Sequence, residues 1–295
     1  MTETVLCEPS ELYNILNQYM RFSRLTETNY LCLIDIREEH EYNDGHIITA
    51  RNVKWSSQGK HVMPFGVEIE SMRYIVVYDS VTCSLQKTGP VTECADSLAK
   101  ASRYPVKILA GGYEKFAALY PFLRTMKSVY TIRELESLKP YPVEILPKQL
   151  YMGDYKQATN PNMLRDLKLS ALVNVSEESV LTFEKGNCAV LDIRVADSVK
   201  ADLYTCFEQV CSFTDSHLRS GRAVLIFSRH GISRCSTLTM AFLIHHLKYS
   251  LKAAWEHVQD CKTNMRPNRG FVQQLSDWET HVLGSRITDT AEPSY

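Results

Sequence analysis

Short apolar runs alternate with longer stretches that carry apolar side chains at helical spacing, and they do so in both halves of the chain. In the first half the runs are Leu31 to Ile36, Tyr74 to Tyr78 and Val106 to Leu109. In the second they are Leu169 to Val175, Val190 to Val195 and Ala223 to Phe227. Runs of this length, bounded by charged or glycine-bearing breaks, read as buried strands. Ala201 to Arg219 sets Leu203, Phe207, Val210, Cys211, Phe213 and Leu218 at helical spacing, and Cys235 to Leu247 reads as a second, more apolar helix. Trp255, Phe271 and Trp278 fall in further helical segments and are expected in the core. Strands alternating with helices predict parallel sheets flanked by helices, so the expected fold class is α/β.

A chain of 295 residues has room for one or two domains. The pattern suggests a domain over residues 1–123, a linker over 124–142, a second domain over 143–284 and a mobile polar tail over 285–295. Within the linker, Tyr130 to Leu138 has helical character, and Lys139-Pro140-Tyr141-Pro142 is expected to be extended. A net charge of −1 gives no pull toward nucleic acid or an anionic membrane. No apolar run approaches the roughly 20 residues that span a bilayer. The N-terminal residues carry neither a signal peptide nor an arginine-rich transit pattern. Nine cysteines are scattered singly, so reduced thiols in an intracellular, cytoplasmic protein are expected, with organelle import left open. His40, His46 and His61 have no metal-ligand spacing, and nothing in the sequence asks for a metal or cofactor.

The segment with the clearest chemistry runs from Val224 to Cys235, Val-Leu-Ile-Phe-Ser-Arg-His-Gly-Ile-Ser-Arg-Cys. A buried strand, a tight loop with one glycine and a helix N-terminus together build an anion cup. Loop amides converge, the helix dipole favours negative charge, and Arg234 can grip a phosphate bidentately. The segment resembles the signature loop of cysteine-dependent protein phosphatases of the dual-specificity class, His-Cys-x-x-Gly-x-Ser-Arg-Ser/Thr. Gly231, Ser233 and Arg234 match that pattern. Phe227 stands where the family has its His, Ser228 where it has the nucleophilic Cys, and Cys235 where it has a hydroxyl. The phosphate-binding loop implied is Ser228, Arg229, His230, Gly231, Ile232, Ser233 and Arg234, and Asp197 matches the family's general acid.

A serine hydroxyl titrates far above neutral pH and needs a base, which Phe227 cannot help supply. His230 falls on an unspecified loop position and reads as an exposed loop histidine. Loss of the nucleophile in a covalent mechanism costs on the order of 10⁴ to 10⁶ in kcat, so no physiological turnover is expected. Phosphate capture needs no sulfur. The loop either holds a phosphorylated side chain without cleaving it or only joins a core strand to a core helix. Asp197 is either a vestigial acid or an ordinary loop aspartate, and Asp192 is a weaker alternative within a strand. Cys235 is either a small structural residue or, beside Arg234 at a helix start, a thiol of depressed pKa open to oxidation. Two more segments extend the resemblance over about Pro142 to Gly284: Glu144 to Gly153, like the family's opening strand, and Asn264 to Leu275, like its Arg-Pro…Asn-x-Gly-Phe-x-x-Gln-Leu stretch.

In the first half, Asp35-Ile36-Arg37, Glu41-Tyr42, Gly45-His46-Ile47, Ala50 and Asn52-Val53 together resemble the rhodanese-like signature over about residues 5 to 123. Active rhodaneses carry a catalytic Cys directly after the central strand. Here Asp79 stands there and Cys83 lies further along the loop, so sulfur transfer is not expected and Asp35, Arg37 and His46 read as a structural network. A rhodanese-like domain ahead of a dual-specificity phosphatase domain is the layout of the MAP-kinase phosphatases. Their basic kinase-docking patch has only a thin counterpart in Arg51, Lys54 and Lys60, or in Arg21 and Arg24. The whole arrangement most resembles the STYX-like pseudophosphatases with an appended rhodanese-like domain. That resemblance implies a catalytically inactive regulator that binds phosphoproteins, active phosphatases, MAP kinases or other signalling proteins. A weak residual phosphatase and a pure scaffold with an unused cup are the alternatives.

Overall fold

Apolar side chains on nearly every residue of Leu31–Asp35 and Tyr74–Tyr78 suit strands covered on both faces, and the two pair at the centre of a parallel sheet. The computed structural model describes residues 3–55, 61–62, 68–86, 88–129, 131–177, 188–291 and 295, the side chains of 54, 55, 61 and 62 apart. It divides into two units, Met1–Lys139 and Pro140–Tyr295.

The first unit runs β1 (Thr4–Cys7), α1 (Pro9–Leu16), β2 (Leu31–Asp35), α2 (Glu39–Asp44), β3 (His46–Ile47), β4 (Arg51–Asn52), β5 (Lys54–Trp55), β6 (His61–Val62), β7 (Tyr74–Tyr78), α3 (Pro90–Ala99), β8 (Val106–Leu109), α4 (Gly112–Leu119), β9 (Arg124–Thr125) and α5 (Ile132–Ser137). Its main sheet has the order β1-β8-β7-β2-β4, all parallel. The stretch drawn from sequence as a linker belongs largely to this unit. β9 pairs with β3, and α5 lies against the turn Arg24–Thr26. Thr131 caps α5, accepting from Glu134 N–H at 3.2 Å, so the helical character expected near Tyr130 begins one residue beyond it, and Tyr130 itself is outside the described residues.

The second unit runs β10 (Val143–Leu146), β11 (Leu150–Asp154), α6 (Tyr155–Ala158), α7 (Pro161–Asp166), β12 (Leu169–Asn174), β13 (Ala189–Asp192), α8 (Tyr204–Arg219), β14 (Ala223–Ser228), α9 (Arg234–Leu247), α10 (Leu251–Cys261) and α11 (Arg269–Leu283). The sheet order is β10-β11-β14-β12-β13, with β10 antiparallel and the rest parallel. The single opening strand expected over Glu144 to Gly153 is therefore a pair. Its turn places Lys148 at φ +60°, and the Lys148 N–H donates to Glu144. β14 is buried along its whole length, and α9 is buried from Arg234 to Ile244. An all-round buried helix packed on a central strand fixes the loop between them from both sides.

The tail also departs from expectation. Glu279, fully buried on α11, accepts from Leu251 N–H at 2.6 Å, Thr288 Oγ1 at 2.7 Å, and Ile287 and Thr288 N–H at 3.0 Å. Burial pushes its carboxyl up, and these donors outweigh burial and hold it below the usual range. Beyond this clasp, Tyr295 is buried with its ring edge-on to Trp255 at 5.0 Å. Residues 292–294, with Pro293, are outside the described residues.

Candidate functional site

β14 ends at Ser228, the chain turns through Arg229 to Ser233, and α9 starts at Arg234. Gly231 carries the turn at φ +67°, and a Cβ there would lie 3.0 Å from the backbone of Gly153, so the loop needs glycine for its angle and for its space. The loop is held from behind. Arg266 N–H donates to the Ile232 carbonyl at 3.0 Å, Ser236 Oγ to the Ile232 and Ser233 carbonyls, and Thr237 Oγ1 to the Ser233 carbonyl at 2.9 Å. These bonds leave the open side to the first N–H groups of α9, which have no partners within the helix.

Arg234 lies almost fully inside this frame, 5% exposed. Its Nη1 donates to the Val195 carbonyl at 2.8 Å, while its Nε makes no hydrogen bond. A buried charged donor left without an acceptor costs about 1–3 kcal/mol or more. Asp197 Oδ2 is 3.8 Å from that Nε, and the aspartate side chain is 39% exposed. An ion pair that long and that open is worth about 0–1 kcal/mol. A phosphate oxygen at hydrogen-bond distance would satisfy the donor better.

Asp197 is fastened in place. Its Oδ1 accepts from Ser233 Oγ at 2.8 Å and from Asn268 Nδ2 at 3.0 Å, and Asn268 in turn caps α11 by accepting from Phe271 N–H at 3.0 Å. The structure thus brings Asp197 to the loop and leaves Asp192 away from it, where Asp192 accepts from Asn174 Nδ2 on the neighbouring strand. A cavity of about 290 Å³ opens beside this contact, lined by Asp197, Ser233, Arg266, Asn268, Arg269 and Tyr295 among others.

At the floor of the loop, Ser228 and Cys235 are both buried. Burial pushes the Cys235 thiol above its ordinary value, outweighing the lowering by Ser228, Lys262, the Ser236 N–H and Arg234. The depressed thiol weighed from the sequence is corrected: the helix start and the nearby arginine are outmatched by complete desolvation. Phe227 is fully buried with Tyr155 as a ring neighbour at 6.3 Å, an apolar setting in place of a proton-transfer group. Arg229 and His230 are exposed on the rim, the Arg229 guanidinium 6.0 Å from the Tyr155 ring centre.

Lys262 was not singled out from the sequence. It is buried just after α10, and burial pulls its ammonium down to about 8 while Cys235 and Asp154 pull it up. A lone lysine between polar residues gives no signal of this, because lysines there ordinarily reach solvent. Asp154 is the register partner of Ser228 across the β11–β14 pair.

The corresponding loop of the first unit follows β7. Asp79 Oδ1 accepts from Val81 N–H at 3.1 Å and Thr82 N–H at 2.8 Å, and its Oδ2 accepts from Thr82 Oγ1. The Asp79 carbonyl takes the Tyr113 N–H at 2.8 Å, and a Cβ on Gly112 would strike that carbonyl. Cys83 is exposed beyond this turn. Asp35 and Arg37 form a buried pair at 2.6 Å, with the Arg37 guanidinium 3.8 Å from the Tyr113 ring centre and donating to the Gly45 carbonyl. His46 stacks on Tyr42 at 3.8 Å, so these three residues serve packing. Among the described residues no group of three or more His, Cys, Asp or Glu is placed to hold a metal. Of the basic residues considered for docking, Arg24 is paired with Glu27 at 2.7 Å, Arg51 is half-buried on β4, and the Lys54 side chain and Lys60 are outside the described residues. Among the described residues no helix is long and apolar enough to cross a membrane.

Comparison with known proteins follows the same division. The family model for the dual specificity phosphatase catalytic domain matches residues 150–281, and that for the rhodanese-like domain matches residues 19–119. Dual specificity protein phosphatase 4 of Gallus gallus is 29% identical over 300 residues, 89% of this chain and 80% of its own. Dual specificity protein phosphatase 1 of Homo sapiens is 30% identical over 299 residues, 88% of this chain and 81% of its own. The crystal structure of human tyrosine phosphatase-like serine/threonine/tyrosine-interacting protein covers 48% of this chain and 96% of its own, at 27% identity and a TM-score of 0.44.

Proposed function

This chain belongs to the dual specificity protein phosphatase family, and we propose that within it the chain is a pseudophosphatase that holds phosphorylated protein without cleaving it. The observation that carries the reading is a buried Ser228 beneath an Arg234 whose Nε makes no hydrogen bond. A serine nucleophile needs a base to take its proton as it attacks phosphorus. Its neighbour is a buried thiol whose proton is held more tightly than usual, and the preceding residue is a phenylalanine. Both groups that would start the reaction are therefore missing. Capture is a different task. The loop frame, the start of α9 and Arg234 supply donors aimed at an anion, and a neutral Ser228 does not repel one as a thiolate would.

The partners proposed are phosphoproteins of cytoplasmic signalling, among them substrates shared with active phosphatases, those phosphatases themselves and MAP kinases. The family's two-domain layout supports that choice. The competing reading, a scaffold with an unused cup, draws on the Asp197–Arg234 contact at 3.8 Å, since a carboxylate already faces the guanidinium. The weak value of that contact favours the phosphate-binding reading.

The test is a titration of the full chain with matched phosphorylated and unphosphorylated peptides, repeated with Arg234→Ala. Phosphate-dependent affinity that drops about a hundredfold or more in Arg234→Ala is expected, the scale for removing one partner of a buried charged contact. Equal affinity for both peptides would instead favour the scaffold. Turnover of an aryl phosphate by the wild-type chain that disappears in Arg234→Ala would favour a residual phosphatase.

A further inference from the structure

The chain entering α11 carries two exposed arginines, Arg266 and Arg269, and both line the cavity of about 290 Å³ beside the Asp197–Ser233 contact. The backbone that bears them is fixed step by step. Arg266 N–H donates to the Ile232 carbonyl of the cup at 3.0 Å, and Pro267 is buried. Asn268 donates to Asp197 Oδ1 at 3.0 Å while capping α11, and Arg269 is the first residue of that helix. A Cβ on Gly270 would strike the Val199 carbonyl, so the start of α11 is pressed against the loop that carries Asp197. One turn on, Gln274 accepts from Leu203 N–H at 2.8 Å and Tyr204 N–H at 2.9 Å, and donates to the Ala201 carbonyl at 2.8 Å. The frame of the cavity is therefore preorganised, which lowers the ordering cost of binding. Its charges are not balanced. Arg165, Arg219 and Arg286 of this unit each lie against a carboxylate, those of Asp166, Asp215 and Asp277. Among the described residues Arg266 and Arg269 have no such partner. Asp197 lines the same cavity, but its Oδ1 is taken by Ser233 and Asn268 and its Oδ2 lies 3.8 Å from Arg234 Nε. Two guanidiniums against one carboxylate leave one positive charge to be met.

We propose that this cavity is a second anion subsite, which takes the carboxylate of an acidic residue flanking the phosphorylated one. The proposal rests on the phosphate-binding reading above and deepens it by naming the sequence the chain prefers. Ser233 and Asp197 belong to both places, Ser233 as the last residue of the cup and Asp197 as its neighbour, so the two sites share a wall. A peptide whose phosphate sits on the cup brings a flanking side chain to Arg266 and Arg269. Their planar guanidiniums present paired donors that match a carboxylate. The charge count selects the ligand further. One unmet positive charge suits a single carboxylate, whereas a second phosphate would bring nearly two negative charges against Asp197. Both arginines are exposed, so the contact is screened by salt and serves selection among phosphorylated sequences more than total affinity.

The test is a titration of the full chain with phosphotyrosine peptides that differ at one flanking position, which carries glutamate, glutamine, lysine or phosphoserine. Each residue is placed in turn before and after the phosphotyrosine. On one side, glutamate should bind about threefold to tenfold more tightly than glutamine, the scale of one or two exposed ion pairs. That ratio should shrink as salt rises from about 0.1 M to about 1 M, where the Debye length falls from about 10 Å to about 3 Å. In the double variant Arg266→Gln with Arg269→Gln the ratio should fall to about one, a coupling that a merely structural role for the arginines would not produce. Arg266→Glu with Arg269→Glu should reverse the preference and place lysine above glutamate. Should that variant fail to fold, the glutamine variant and the salt series decide the matter. Equal wild-type affinity for the glutamate and glutamine peptides on both sides, with binding that still needs the phosphate and Arg234, overturns the proposal alone. A glutamate advantage that survives intact in the glutamine variant overturns it too, since the acid would then be met elsewhere. Phosphoserine that binds about tenfold more tightly than glutamate at the same position would replace the carboxylate with a second phosphate. Absence of phosphate-dependent affinity for every peptide sinks the reading beneath it as well.

Discussion

Two loops in this molecule sit at the same kind of place, directly after a central strand of a parallel sheet, where α/β proteins collect ligands. They differ in how their donors and acceptors are met. After β7, Asp79 folds its carboxylate onto the N–H groups of Val81 and Thr82, so the turn supplies its own anion. At the end of β14 stands the neutral Ser228, and the buried Arg234 Nε makes no hydrogen bond. The first loop is internally satisfied, and an incoming anion would have to displace a carboxylate that has nowhere better to go. The second retains an unmet donor. The absence of a catalytic residue therefore says little about a site until its remaining donors and acceptors are counted.

The comparison breaks most visibly if the second loop can be returned to service. Phe227→His with Ser228→Cys should raise aryl phosphate turnover over the wild-type chain by orders of magnitude, on the order of 10³ or more. Adding Cys235→Ser should raise it again and remove peroxide sensitivity, because Cys235 is close enough to position 228 for Ser228 to act on its thiol, and a second thiol there could be oxidised to a disulfide. A folded, inactive triple mutant would show that Asp197 or the loop amides are misplaced. Asp79→Ala probes the first loop. It should cost about 1–2 kcal/mol of stability in urea, as the loss of a capping carboxylate does, and should leave phosphopeptide affinity unchanged. A drop in affinity would mean the two loops are energetically connected. The smallest expected effect is at Asp197→Asn, which keeps an acceptor for Ser233 and Asn268 while removing a charge near the ligand. Phosphopeptide affinity should rise by about threefold to tenfold, and a fall would assign Asp197 to holding the ligand.

Much of this arrangement is legible in the sequence because it is local. The apolar run Ala223 to Phe227, the glycine and the helix beginning near Cys235 dictate strand, loop and helix within a short stretch, and Gly231 falls at the turn and Arg234 at the helix start as their spacing suggests. Asp197 also falls where the resemblance puts it, beside the loop. What sequence reading missed is non-local. Lys262 acquires its character from burial in the folded unit, which no local pattern encodes. Cys235 was judged by its neighbours in sequence, but the desolvation that governs it comes from the whole core. The tail looks polar and free until the buried Glu279, on the helix just before it, gathers the Ile287 and Thr288 N–H groups. The supposed linker was misjudged in the same way, since β9 finds its partner in β3, far back in the chain.

The buried setting of Ser228 has a consequence in time as well as in chemistry. An active phosphatase empties its site by destroying what it holds, so each encounter ends at the rate of its reaction. If the chain holds phosphate without cleaving it, as proposed, a bound phosphate leaves only by dissociating. Occupancy then reports the abundance of the phosphorylated partner, and the lifetime of each complex is set by koff alone.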